Sequence, residues 1–249
     1  MKPFANPYVK RIASLVGEKD ASHAVQAFVG SHRVAEESLD ALARKLGVRR
    51  IILQNLPFEG GLFRLPDGEL VIKLNSGSSF VRRRFTLAHE IGHLLLDTIP
   101  AHRSTHRHDE ALERTCDLIA AELLMPTAEA SAFIRGLGPP SPRKLSDIAS
   151  KYAVSIQTAA IRVRDGLRLW KCSIGMWGLS PEVKTLWFVG LRRWDRAQPS
   201  TSCLETTLAS RSSLQVNDLW QRGEFTERVW LDLLAIGSSS VLGLVDFAK

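Results

Sequence analysis

The residues most able to do chemistry stand together as His89-Glu90-Ile91-Gly92-His93. On a helix, positions four apart share a face, so both imidazoles can reach one ion. Glu90 follows the first of them and projects beside that ion, where a carboxylate can take a proton from an activated water. A catalytic ion also needs a third protein ligand and an open position. Leu96 and Ile99 occupy the places where a glycine and a third histidine would extend the motif, so the third ligand comes from elsewhere. The candidates are His102, His106, His108, Asp109, Glu110 and Glu113. Glu113 stands out because Asp117 follows it one helical turn later, giving a ligand and an acceptor for the N–H of a ligating imidazole. Acids near a helix N-terminus are also favoured on their own account, so a solvated face is the competing reading. Asp97, four residues past His93, either supports a ligand or is a helix-end acid. Two imidazoles and a carboxylate suit Zn²⁺, with Mn²⁺ or Fe²⁺ as replacements.

These groups require two helices. Residues 85–96 form a strongly apolar helical pattern, with Phe85, Ala88, Leu95 and Leu96 for its buried side. Residues 110–125 form a second, closed by Pro126. Between them residues 98–108 are polar, hold Pro100 and three histidines, and read as a loop. Ahead of the first helix, residues 50–53 read as a short strand. Residues 61–65 and 70–74 flank Pro66-Asp67-Gly68-Glu69 as a hairpin. The first fifty residues otherwise read as helical. Residues 136–142 are rich in glycine and proline and read as a linker. Residues 144–152 and 156–164 read as two short helices around Val154-Ser155, a helix-turn-helix or a plain helical hairpin. All six tryptophans follow residue 168, where residues 170–176 and 185–191 read as strands.

Composition narrows the class. With 249 residues, 45% of them apolar and 24% charged, the chain is a globular protein of one large or two modest domains. Three cysteines, Cys116, Cys172 and Cys203, without C-x-x-C spacing exclude a disulfide scaffold and point away from a structural zinc knuckle. No run of about 18 apolar residues exists to span a membrane. The first twelve residues lack the apolar core of a secretory signal, so a cytoplasmic location is expected. A net charge of +7 favours acidic partners, nucleic acid among them. The basic run Arg82-Arg83-Arg84 reads as a solvated or salt-bridged face, or as a contact to such a partner. His102, His106, His108 and Tyr152 are candidates to steady an oxyanion during hydrolysis.

The stretch Arg83-Arg84-Phe85-Thr86-Leu87-Ala88-His89-Glu90-Ile91-Gly92-His93-Leu94-Leu95-Leu96 resembles the active-site helix of the ImmA/IrrE family of metallopeptidases. Residues 113–126, with Glu113, Asp117, Ala120, Ala121, Leu123, Leu124, Met125 and Pro126, resemble its second signature, E-x-x-A-N/D-x-F-A-A-x-L-L-M-P. Cys116 stands where alanine is common and Ile119 where phenylalanine is common. The resemblance spans about residues 30–165. It implies a zincin-like α+β domain over residues 1–138 and a helix-turn-helix-like segment over 139–168. A small C-terminal α/β or mostly-β domain over 169–249 would then act as a GAF-like sensor. It further implies a gluzincin-like zinc site of His89, His93 and Glu113 with Glu90 as base. The family's activity would be cleavage of a helix-turn-helix repressor, which derepresses a stress or mobile-element regulon. The competing reading is a DNA-binding stress regulator whose metal site is structural or vestigial. A structural site needs ligands but no general base.

Overall fold

The helix that carries the two histidines begins earlier than its apolar pattern does. In the computed structural model α4 spans Phe80–Asp97, because Ser79 Oγ accepts the N–H of Arg82 and the arginine run continues the helix. The structure describes residues 7–16, 21–32, 38–97, 109–179, 182–190, 198–211, 213–222 and 225–247. It divides into two compact units, Met1–Ala130 and Ser131–Lys249. It is a mixed helix-and-sheet, α+β, structure.

In the first unit α1 (Pro7–Val16), α2 (Ala21–His32) and α3 (Leu39–Lys45) precede β1 (Val48–Gln54), β2 (Gly60–Arg64) and β3 (Leu70–Asn75). The hairpin is as expected, with β2 antiparallel to β3. The sheet order is β1-β3-β2, with β1 parallel to β3 and β2 on an edge. Helix α4 lies against β2 and β3, burying Ala88, Ile91, Leu95 and Leu96. β2 comes close because position 60 is glycine: a Cβ there would fall 2.6 Å from the Lys73 carbonyl oxygen. Helix α5 (Glu110–Leu124) packs on α4. Asp109 caps α5 by accepting from the N–H of Ala111 at 2.8 Å, and its other carboxylate oxygen accepts the Tyr8 hydroxyl of α1 at 2.5 Å. At the far end, buried Glu122 accepts from the Thr127 N–H and hydroxyl at 2.8 and 2.6 Å, which fixes the break at Pro126.

α6 (Thr127–Gly136) runs across the division of the chain. In the second unit α7 (Pro142–Tyr152) has Ser141 as its N-cap and Pro142 in its first turn. It ends at Ala153, whose φ of 47° is left-handed. α8 (Ile156–Ile161) follows, capped by Ser155, and closes in a π-helical turn, Arg162–Gly166. The remainder is an antiparallel sheet in the order β5-β4-β8-β7-β6. Its strands are β4 (Ser173–Leu179), β5 (Val183–Val189), β6 (Ser213–Arg222), β7 (Phe225–Ile236) and β8 (Ser240–Phe247). Helix α9 (Thr201–Ser210) packs on it through Leu204. Trp177, fully buried, joins Val229, Leu231, Leu233, Val241 and Val245 in that core. Its indole lies over two glycines that face each other across β4 and β8, Gly175 and Gly243. A Cβ at either position would fall 2.6–2.8 Å from the ring. The described residues of 173–247 thus hold five strands and one helix. Among the described residues no helix is long and apolar enough to cross a membrane.

Candidate metal centre

Helix α4 places His89 and His93 on one face, as their spacing requires, and their Nε2 atoms stand 3.2 Å apart. Helix α5 supplies the carboxylates. Glu113 Oε2 is 3.2 Å from His89 Nε2, and Glu113 Oε1 is 3.5 Å from His93 Nε2. These three groups converge on a common point. Bonds of about 2.0–2.1 Å in a tetrahedron put neighbouring donors roughly 3.3 Å apart, so the observed separations fit one small divalent ion. Asp117, one turn after Glu113, places Oδ1 2.9 Å from His89 Nδ1. Glu113 and Asp117 are about half exposed, whereas the two imidazoles are mostly covered.

The helices approach closely because of the glycine inside the motif. A Cβ at Gly92 would sit 3.1 Å from the Cα of Cys116. Cys116 is fully buried, and its Sγ lies 3.4 Å from His93 Nδ1. His89, His93 and Cys116 also form a group able to hold an ion, with one donor atom of each within 4.8 Å of the others. The centre thus offers two third donors. Glu113 faces the Nε2 atoms of both imidazoles, whereas Cys116 faces the opposite nitrogen of His93.

Glu90 is 8% exposed, a carboxyl drawn into the protein. Burial pushes its proton affinity above that of an ordinary carboxylate. The charge of His89 and a hydrogen bond from the Leu62 backbone lower it, Glu113 raises it, and the net shift is upward. For His89 burial acts downward, but the hydrogen bond to Asp117 and the charges of Glu90, Asp117 and Glu113 outweigh it. Its pKa is raised overall.

The other acids considered as ligands are engaged elsewhere. Asp109 caps α5 and binds Tyr8; Glu110 is largely exposed and pairs with Arg114. His102, His106 and His108, and the side chain of Asp97 at the end of α4, lie outside the described residues. Tyr152 is buried in the second unit, its ring edge-on to Phe133 at 6.1 Å. The run Arg82-Arg83-Arg84 is tied up locally. Arg82 pairs with Glu59 at 3.4 Å, Arg83 donates to the Ser78 carbonyl, and Arg84 lies over the Phe80 ring. Cys172 is no reactive thiol, because burial, with Asp246 adding to it, pushes its pKa up to about 11. Sequence reasoning missed two contacts. The Leu62 link to Glu90 has no sequence signal. The Cys116 contact had one, since Cys116 follows Glu113 by three residues and so shares its side of the helix.

Residues 43–164 match the family Peptidase_M78, described as the IrrE N-terminal-like domain. The chain is 36% identical over 97 residues to the radiation response metalloprotease IrrE of Deinococcus radiodurans, covering 36% of this chain and 29% of that protein. It is 34% identical over 96 residues to the protein of the same name from Deinococcus deserti, covering 36% of this chain and 34% of that one. The match thus spans about a third of each relative's length. The solved structure of a Mycobacterium tuberculosis transcriptional regulator superposes with a TM-score of 0.56 at 14% identity, over 99% of this chain and 81% of that one. At that identity the likeness concerns the fold.

Proposed function

The chain belongs to the ImmA/IrrE family through its IrrE N-terminal-like domain, and on that premise we propose that it is a metal-dependent endopeptidase. Its divalent ion, Zn²⁺ or in its place Mn²⁺ or Fe²⁺, is held by His89, His93 and Glu113. The observation that carries the reading is the convergence of two Nε2 atoms and one carboxylate at 3.2–3.5 Å, with a buried carboxyl one residue from the first histidine. A structural site has no use for Glu90, whose burial in the charged form is unfavourable. That weighs against the reading as a DNA-binding regulator with a vestigial metal.

The bound ion would supply Lewis acidity at the scissile carbonyl and at the attacking water. Asp117 accepts the Nδ1–H of His89, which turns the other ring nitrogen inward; Asp97 is proposed to assist at the end of the same helix. Glu90 accepts the proton of the water and passes it to the leaving amine. Its raised proton affinity suits both steps. Leu62 holds that carboxylate from the edge strand β2, along which a substrate peptide can lie as an added strand. The domain is zincin-like in this reading, residues 139–168 are helix-turn-helix-like, and residues 169–249 form a sensor module. The substrate is a helix-turn-helix repressor in the cytoplasm, cleaved to derepress a stress or mobile-element regulon; contact with nucleic acid is secondary.

The test pairs the chain with each helix-turn-helix protein encoded beside it and reads cleavage by intact mass. The zinc-loaded protein is expected to yield two fragments, and Glu90→Gln, with the same zinc and fold, none. Fragments formed by Glu90→Gln at the parental rate would remove Glu90 as the base.

A further inference from the structure

We infer that Cys116 is a positioning residue for His93, holding the imidazole so that its Nε2 points at the metal. The inference rests on the ligand set proposed above. An imidazole that gives its Nε2 lone pair to an ion carries its proton on Nδ1, so Nδ1 must donate. The atom it meets is Cys116 Sγ at 3.4 Å, an ordinary distance for a sulfur acceptor. The opposite nitrogen of the same ring is the one that converges with His89 and Glu113. The thiol therefore does for His93 what the Asp117 carboxylate does for His89. The placement is built in by packing, because Gly92 lets the α5 backbone come close enough for a short side chain to reach the ring. Cys116 is fully buried, so the contact is shielded from competing water.

The two supports differ in kind. A carboxylate is a strong, charged acceptor, and a thiol is a weak, neutral one. Cys116 Sγ meets Nδ1 of His93, whereas Nε2 of the same ring meets His89 and Glu113, which separates positioning from ligation. An alanine at this position removes the sulfur acceptor, and a serine restores an acceptor without sulfur.

The experiment measures Zn²⁺ affinity by chelator competition for the parent, Cys116→Ala and Cys116→Ser, and records the near-ultraviolet spectra of the Co²⁺-loaded parent and Cys116→Ala. Partners of ligating histidines are worth about 10- to 100-fold in affinity, and a weak acceptor belongs at the low end. The expected result is roughly 10-fold weaker binding in Cys116→Ala, most of it regained in Cys116→Ser, and no intense sulfur-to-cobalt band. Parental affinity in both variants overturns the inference. So does a serine no better than alanine, which would mark a packing role. An intense near-ultraviolet band lost in Cys116→Ala would make the sulfur a ligand and overturn it as well. His89→Ala serves as the reference: if it binds zinc like the parent, the ligand set itself fails, whereas a loss confined to His89→Ala overturns only the role of Cys116.

Discussion

The helix pair α4–α5 and the C-terminal sheet use the same device for opposite ends. In each, a missing Cβ lets a neighbour come unusually close. At Gly92 the space is taken by the α5 backbone, and the result is a convergence of polar groups. At Gly175 and Gly243 it is taken by the Trp177 indole, and the result is an apolar core. The first region accepts an unfavourable burial, that of the Glu90 carboxyl, and two of its ionisable groups are shifted in consequence. The core of the second, Trp177, Val229, Leu231, Leu233 and Val241, is wholly apolar, and its buried polar cost lies at the margin, in the unpaired Thr185 hydroxyl of β5 and the Asp232 carboxyl of β7, whose pKa burial raises. Stability and chemistry are therefore supported by different parts of the chain, and substitutions can pull the two apart.

The largest separation is expected at Trp177. Trp177→Ala should lower unfolding stability by about 3–5 kcal/mol, since the site is fully buried, while the zinc content of the folded protein stays unchanged. Denaturant titration with metal analysis checks it; a loss of zinc from folded protein would join the two regions. The next effect runs the other way. Asp117→Ala should weaken zinc binding about 10- to 100-fold and barely move stability, because Asp117 is half exposed and acts through His89. Equal zinc affinity in the variant would leave the Asp117 contact without a role.

The smallest effect concerns the buried carboxyl itself. Glu90 has a raised pKa in the fold, so its contribution is favourable below its unfolded value and is lost as pH rises through the folded one. Glu90→Gln should therefore make the metal-free protein more stable at neutral pH by about 1 kcal/mol, with the gap closing in acid. Thermal melts of both proteins across pH decide it. A variant less stable than the parent at neutral pH would mean that the carboxylate is well solvated or well paired.

The metal-site helices were legible because their signals are local. Four-residue spacing, the apolar face of α4 and the stop at Pro126 each depend on neighbours within a turn or two. The apolar pattern of α4 begins after the helix does, because the arginines interrupt the pattern without interrupting the helix. The hairpin β2–β3 was legible from its turn, but the parallel pairing of β1 with β3 was not, since it joins strands without a turn between them. Strands β6 to β8 and helices α6 and α9 carried no reading. β7 nonetheless shows its core face in the alternation of Val229, Leu231 and Leu233. Of the candidate site, both histidines and Glu90 could be named from spacing, and Glu113 as the foremost of several third donors. The engagement of Asp109 with Tyr8 could not, because 101 residues separate the partners.

The most direct test of the account is the zinc stoichiometry of Glu113→Ala, measured beside single alanine variants of His102, His106 and His108. A ligand on a packed helix is already held in place, as Glu113 is on α5. The account predicts that zinc is lost from Glu113→Ala and kept by the three histidine variants. Zinc retained in Glu113→Ala and lost from one of those histidine variants would contradict it.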